Sequence, residues 1–159
     1  MVQRKPEMLK TNLKKKITVG YTAGVFDLFH IGHLNILRNA KSFCAKLIVG
    51  VTTDELVLYK KKKAIIPFSE RIEIVRSCKY VDIAIPQYSI DKIDIVKKIK
   101  ADFLFVGDDW YKHKNWKSME LKLKKIHCQT IYFPYTKGIS STLINNILDQ
   151  SRANKKDVK

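Results

Sequence analysis

The chain has 159 residues, 45% of them hydrophobic and 29% charged, and its formal net charge is +16. The length suits one domain with one substantial core, and the apolar content excludes a disordered chain. No apolar run approaches the length of a membrane span, and no signal-peptide pattern follows the basic N-terminus. Three scattered cysteines, none in a C-x-x-C motif, favour a reducing compartment. We therefore expect a soluble, cytoplasmic protein without a stable membrane anchor.

The positive charge is concentrated at the two ends of the chain. Residues 1–16 carry six basic residues against one acidic residue, and residues 151–159 carry four against one. Half of the net charge therefore lies on two segments that we predict to be flexible, around a domain at 17–150. The rest suits a pocket for small polyanions, with solvated surface lysines as the ordinary explanation for most of it. We expect no nucleic-acid partner.

The first part of the chain alternates strand and helix patterns. A β-rich run with Val19 and Tyr21 leads into a turn with Gly24 and Asp27, and an amphipathic helical pattern follows. Residues 46–52 predict a buried strand and residues 53–58 a short helix. Pro67 is expected to open the next helix, which extends to residue 78.

The same alternation continues to the end of the chain. Residues 81–85 predict a third strand that Pro86 ends, and residues 89–100 predict a helix. Strands are expected at 103–106 and 129–133, with helices at 115–126 and 142–148, the last one capped by Ser140 or Ser141. The pattern predicts a single α/β domain with a Rossmann-like, doubly wound, five-stranded parallel sheet.

Two histidines stand at the predicted start of the first helix. If that helix begins near Ile31, His30 and His33 point the same way from its N-terminus, and Gly32 allows a close approach of the backbone. The free N–H groups and the positive dipole end favour a phosphate there. A metal site and a purely structural pair are the alternatives, but the other histidines and the cysteines show no zinc-ligand spacing with this pair.

Polar segments follow four of the predicted strands. They are residues 24–33, 60–63, 107–110 and 136–142. In a doubly wound sheet, ligands bind beyond the carboxyl ends of the strands, where the strand order reverses. The sequence thus predicts a nucleotide site at this edge.

These motifs resemble those of a known enzyme family. GVFDLFHIGH at 24–33 matches the first signature of the H-x-G-H nucleotidyltransferases, and YTKGISST at 135–142 is similar to the second, R-T-E-G-I-S-T-[ST]. GDDW at 107–110 and TTDELVLYKKKKA at 52–64 resemble the glycerol-3-phosphate branch of the cytidylyltransferases. The resemblance spans residues 17–148.

The resemblance implies a reaction and its partners. CTP and a small phosphorylated alcohol, with glycerol 3-phosphate favoured, would give a CDP-alcohol and pyrophosphate. Because a phosphate dianion is already nucleophilic, the site has to supply positioning and positive charge rather than a general base. Mg²⁺ would accompany CTP, and the protein would be a homodimer.

The resemblance also implies roles for individual residues. Catalysis is assigned to His30, His33, Lys62 and Asp27, and Asp27 and Asp109 would help to organise nucleotide and magnesium. Acceptor binding is assigned to Lys60, Arg71 and Lys92, with support of the phosphate site as a second role for Arg71. The nucleotide would contact Gly24, Val25, Phe26, His30, Gly32, His33, Lys62, Asp109, Tyr135, Thr136, Lys137, Gly138, Ile139, Ser140, Ser141 and Thr142.

The chain departs from the second signature at two positions. Tyr135 stands where the family has arginine, and Lys137 stands where it has glutamate. Loss of a planar bidentate donor removes phosphate or base affinity unless another group replaces it. The acceptor therefore stays open, phosphocholine included. An ATP-dependent adenylyltransferase and a non-catalytic basic module for RNA or membranes are the rival interpretations.

Overall fold

The computed structural model describes residues 17–59, 63–108 and 115–156, and within them a five-stranded sheet flanked by helices. The strands are β1 (Val19–Gly24), β2 (Lys46–Thr52), β3 (Ile83–Gln87), β4 (Phe103–Gly107) and β5 (Gln129–Phe133). They pair in the order β3-β2-β1-β4-β5, and every pairing is parallel. The predicted single-domain α/β fold is confirmed.

The third strand corrects the expectation that Pro86 ends it. Pro86 lies inside β3, opposite Val51 of β2. β3 is an edge strand and pairs only with β2, so a proline, which lacks the N–H group, is tolerated within it. The strand therefore continues to Gln87, whose side chain accepts a hydrogen bond from Thr52 Oγ1 at 2.8 Å.

The helices follow the predicted order. They are α1 (Ile31–Phe43), α2 (Asp54–Tyr59), α3 (Phe68–Arg76), α4 (Ile93–Ile99), α5 (Trp116–Lys125) and α6 (Ser141–Lys156).

Two helices differ from the expectation at one end. The α4 helix begins four residues later than expected, because the carboxylate of Asp91 accepts a hydrogen bond from the backbone N–H of Ile93 at 2.8 Å. The α6 helix extends to Lys156, eight residues beyond the predicted end and into the segment expected to be flexible.

The sheet has a hydrophobic core on each face. Leu47, Val49 and Val51 of β2 point to the face that α1 and α3 cover, and Ile48 points to the face of α4 and α5. Buried parallel strands of this kind are apolar on both sides, as the run at 46–52 predicted. Among the described residues, no helix is long and apolar enough to cross a membrane.

The position of the site follows from the strand order. The chain runs outward from β1 in one direction to β2 and β3, and in the other direction to β4 and β5. The reversal lies between β1 and β4, so a crevice opens at the carboxyl ends of these two strands.

Candidate nucleotide-binding site

The turn between β1 and α1 has an unusual backbone. Phe26 and Leu28 both adopt left-handed conformations, with φ of 54° and 48°. Residues other than glycine disfavour this region, so neighbouring groups have to hold it. Two hydrogen bonds from distant segments do so: Arg71 Nη1 donates to the carbonyl of Val25 at 2.6 Å, and Ser141 Oγ donates to the carbonyl of Asp27 at 2.6 Å.

Arg71 is fully buried and ties the turn to the rest of the domain. Besides Val25, its guanidinium donates to the carbonyl of Thr52 at 2.8 Å, to the carbonyl of Ile66 at 2.8 Å and to Asp54 Oδ1 at 2.5 Å. With these four bonds, the geometry favours the supporting role over direct phosphate binding. The contact of Arg71 with the acceptor stays a prediction.

Asp27 occupies a different position from the one expected. Its buried carboxylate accepts hydrogen bonds from the backbone N–H groups of Ile65 and Ile66, at 2.9 Å each, and Oδ1 accepts another from Leu28 at 3.1 Å. Both oxygens thus serve the loop that follows the lysine run. These contacts favour the interpretation of Asp27 as a loop carboxylate that positions residues 65–66. Its predicted catalytic and magnesium role stays a prediction.

The two signature histidines form a reciprocal cap at the start of α1. His30 is the N-cap residue, and its Nδ1 accepts from the backbone N–H of Gly32 at 3.0 Å. His33 Nδ1 accepts from the backbone N–H of His30 at 3.4 Å. The rings stack with their centroids 4.0 Å apart. As predicted, α1 begins at Ile31 and the two imidazoles lie together.

Burial determines the charge of the two rings, and the caps determine which ring nitrogen carries the proton. Burial lowers the pKa of His30, and burial together with the neighbouring His30 lowers the pKa of His33 to about 4, against a small opposing effect of Asp27. Both rings are therefore neutral at neutral pH. Because Nδ1 is the acceptor in each cap, the proton resides on Nε2. Each histidine thus has an Nε2–H donor that its cap does not use.

Gly32 is required by the cap itself. A Cβ at this position would lie 2.8 Å from Cε1 and 2.9 Å from Nδ1 of His30. Any side chain would therefore displace the imidazole that caps the helix. Sequence reasoning assigned Gly32 to the approach of a phosphate, and the structure adds the packing of the imidazole.

A cavity of about 600 Å³ opens at the reversal point. Thr22 and Ala23 of β1 and Val106 and Gly107 of β4 supply its floor, and α1, α6 and the residues after β5 supply its walls. The predicted residues that line it are His30, Gly32, His33, Lys92, Tyr135, Thr136, Ile139, Ser140, Ser141 and Thr142.

Several predicted residues are not among those that line the cavity. Gly24, Val25 and Phe26 precede the lining residues in the same turn, and the ring of Phe26 is buried against Phe29 and His33. Lys137 and Gly138 are exposed on the loop before α6. The nucleotide contacts of these five residues stay predictions. The predictions for Lys60, Lys62 and Asp109 lie outside the described residues.

Lys92 reaches the cavity from the α4 side of the sheet. The residue is 6% exposed, and its Nζ lies 5.9 Å from the centroid of the Trp116 ring. Trp116 Nε1 donates to Tyr132 Oη at 2.6 Å, and that hydroxyl donates to Glu120. A buried cation over an aromatic face at the edge of a polar cavity is well placed for an anionic ligand.

The N-terminus of α6 faces the same cavity. Ser140 Oγ accepts from the backbone N–H of Leu143 at 3.0 Å, so Ser140 is the cap residue. Ser141 Oγ is bonded to Asp27, as described above. Two helix N-termini, those of α1 and α6, therefore meet at one cavity, and each favours an anion.

One wall of the cavity consists of residues that the sequence analysis did not predict. Asn35, Arg38 and Asn39 of α1 line it, together with Phe133 and Pro134 at the end of β5. Gly32, Asn35 and Asn39 follow the spacing of one helix face, so a search for a polar stripe beside the apolar one would have found them.

The donors for a resident magnesium ion are lacking in the described residues. They hold no group of three or more carboxylate, histidine or cysteine side chains that suits a metal. Both oxygens of Asp27 already accept backbone N–H groups. The described part of the chain therefore supplies no complete set of protein ligands for the ion, and Asp109, which was also assigned to magnesium, lies outside it.

The fold and the site together define a class of protein. A parallel sheet with an anion-binding cavity at its reversal point, two helix N-termini and two neutral imidazole donors is typical of enzymes that transfer nucleotidyl groups.

Comparisons with known proteins are more specific. A family model described as cytidylyltransferase-like matches residues 21–147. A glycerol-3-phosphate cytidylyltransferase from Bacillus spizizenii is 38% identical over 133 residues, which are 83% of this chain and 95% of that protein. An FAD synthase from Thermococcus kodakarensis is 34% identical over 124 residues, 77% of this chain and 83% of that protein.

Solved structures agree with the fold. The crystal structure of the lipopolysaccharide core biosynthesis protein from Thermoplasma volcanium GSS1 matches with a TM-score of 0.64 and 25% identity, over 78% of this chain and all of that one. The chain belongs to the cytidylyltransferase-like family. It is a nucleotidyltransferase.

The pKa of His33 makes the stability of the protein depend on pH. In the unfolded chain a histidine has a pKa near 6.5, whereas folding lowers that of His33 to about 4. Between these values the unfolded state binds more protons, so the free energy of unfolding falls as the pH falls from 6.5 to 4. We expect the Cε1 proton of His33 to titrate near 4 by NMR. The loss of stability over this range should be smaller in His33→Asn; titration near 6.5 would contradict the burial argument.

The role of Asp27 is tested by Asp27→Asn. An amide offers one acceptor where the carboxylate offers two, so at least one N–H of the 65–66 loop loses its partner at a cost of about 1–3 kcal/mol. We expect a lower melting temperature, lower activity and an unchanged magnesium dependence. The exposed Asp94→Asn is the control. Full stability with a raised magnesium requirement would restore Asp27 as a metal ligand.

Proposed function

We propose that the protein transfers CMP from CTP to glycerol 3-phosphate, giving CDP-glycerol and pyrophosphate. The observation that carries the proposal is the pair of neutral imidazoles at the meeting point of two helix N-termini. A relative that is 38% identical to this chain is named for this reaction, and the chain covers 95% of that relative.

The reaction requires little covalent work from the protein. The phosphate of the acceptor attacks the α-phosphorus of CTP in line, a new P–O bond forms, and the bond to pyrophosphate breaks. The Nε2–H groups of His30 and His33 donate to oxygens whose negative charge grows in the transition state. Because both rings are already neutral and fixed by their caps, they require no proton loss or rotation before they donate.

The N-terminus of α6 and the side chain of Lys92 would contact different phosphates of the two substrates. The N-terminus of α6, with Ile139, Ser140 and Thr142, offers backbone N–H and hydroxyl donors to the β- and γ-phosphates. Lys92 enters from the opposite face of the sheet and is the candidate for the acceptor phosphate. A lysine is a compact point charge, which suits a phosphate without demanding one geometry.

Magnesium is proposed as part of the nucleotide rather than of the protein. Mg²⁺ commonly binds substrate phosphates with few protein ligands, and the described residues provide none in a suitable group.

A homodimer and a cytoplasmic location are likewise proposals, which sedimentation and fractionation test.

A second candidate is adenylyl transfer from ATP. The observation in its favour is the similarity to FAD synthases at 34% identity over 77% of the chain. The exposed Tyr135 lines the cavity where the family signature has arginine, so the contacts to the base or phosphates differ from the usual ones. The two candidates differ in the nucleotide they consume.

The assay is pyrophosphate release from CTP or ATP in parallel, with magnesium and a panel of acceptors. The panel contains glycerol 3-phosphate, phosphocholine, phosphoethanolamine, pentitol phosphates and FMN. We expect release with CTP and glycerol 3-phosphate and none with ATP. Release with ATP and FMN would replace the proposal by the second candidate, and release with CTP and another acceptor would correct the substrate.

The histidine roles are separable by asparagine substitutions. In His30→Asn and His33→Asn, the amide oxygen replaces Nδ1 as cap acceptor, while the Nε2–H donor is lost. We expect each variant to fold with near wild-type stability and to lose about 10²-fold or more in kcat. The alanine variants, which lose cap and donor, are the matched controls and should also be less stable. Asparagine variants with wild-type turnover would show that the imidazoles act only as caps.

A further inference from the structure

The described residues that line the cavity include one lysine and one arginine. They are Lys92 and Arg38, and the other basic side chains there, His30 and His33, are neutral at neutral pH. Lys92 comes from α4 and Arg38 from α1, which lie on opposite faces of the sheet. The two charges therefore approach a bound ligand from different sides, and each has to serve a different part of it.

The guanidinium of Arg38 is attached to the cavity wall although the residue is exposed. Its Nη2 donates to Asn35 Oδ1 at 2.8 Å, and Asn35 Nδ2 donates to Thr136 Oγ1 at 3.3 Å. All three residues line the cavity. Asn35 is thus a positioning residue that connects α1 to the loop after β5 and holds one edge of the guanidinium. The planar fork has four further N–H donors with which to bind an anion.

The place of Arg38 on α1 indicates which part of the nucleotide it reaches. It lies five residues beyond His33, about 7.5 Å along the helix axis. Five residues also rotate the chain by about 140° around the helix, so Arg38 lies on a different side of α1 from His33, although both side chains line one cavity. If the α-phosphate lies at the imidazoles and the phosphate chain follows the α1 wall past Asn35, its terminal phosphates reach Arg38.

We propose that Arg38 binds the terminal phosphates of the nucleotide and the pyrophosphate that leaves. The proposal rests on the nucleotidyl transfer put forward above. A guanidinium matches two phosphate oxygens at once, as a lysine does not. The second signature has no arginine in this chain, since position 135 is tyrosine, and Arg38 supplies a planar donor to the same cavity from a different helix.

The test measures binding of inorganic pyrophosphate to the full chain by calorimetry at fixed ionic strength. Arg38→Ala is expected to weaken this binding by about 10- to 100-fold, the range for hydrogen bonds to a charged group. Arg38→Lys should recover part of the loss, because it keeps the charge without the fork. The affinity for CMP, which lacks the terminal phosphates, should stay unchanged. Arg76→Ala, on α3, removes an exposed arginine that is paired with Glu73 and is the control for net charge.

Three results would overturn the proposal. They are pyrophosphate affinity in Arg38→Ala within twofold of the wild type, an equal loss for CMP, which would place the contact on the nucleoside, and no pyrophosphate binding by the wild type. These measurements need no turnover. A wild-type protein that binds pyrophosphate through Arg38 but transfers no CMP would therefore contradict the proposed reaction and leave the role of Arg38 standing.

Discussion

The buried guanidinium of Arg71 is the interaction on which the site depends. It joins the turn after β1, the end of β2, the start of α2 and the loop before α3 through four hydrogen bonds. Hydrogen bonds from Phe68 and Arg71 to Asp54 outweigh the effect of burial and lower the pKa of that carboxyl, so the ion pair persists at neutral pH. Without Arg71, the carbonyls of Val25, Thr52 and Ile66 would lose this partner, and the loss at the buried carbonyl of Thr52 costs about 1–3 kcal/mol. The left-handed turn that positions His30 would lose its main support.

The electrostatics of the site follow from that rigid turn. Two imidazoles held 4.0 Å apart cannot both be charged without strong repulsion, and burial adds to the effect. The protein therefore presents neutral donors and helix ends to a highly charged nucleotide, with the basic side chains of Lys92 and Arg38 at two sides of the cavity. Neutral donors with a fixed tautomer are preorganised, which is the condition under which hydrogen bonds lower a barrier most.

Local patterns were sufficient for most of the fold. The five strands and the helices between them follow from apolar periodicity, because a buried parallel strand such as 46–52 and an amphipathic helix such as α1 leave different traces. The exceptions have physical reasons. Pro86 is tolerated inside β3 because β3 is an edge strand, and α4 begins late because the carboxylate of Asp91 accepts the backbone N–H of Ile93. Apolar periodicity does not show whether a strand lies at the edge of the sheet. It also does not show whether a side-chain hydrogen bond delays the start of a helix.

The sequence by itself determined the family, the sheet and the meeting of the histidines with the start of α6, because each depends on residues close together in the chain or on the common edge of a parallel sheet. The tertiary structure alone decided what the polar side chains do there. A carboxylate and a guanidinium, such as those of Asp27 and Arg71, are typical ligand-binding groups. Here they form hydrogen bonds with backbone atoms 19 to 46 positions away along the chain. Arg38 looks like a surface residue, yet Asn35 and Thr136 hold it at the cavity. A side chain's role depends on which donors and acceptors the fold brings to it, and that information is not local.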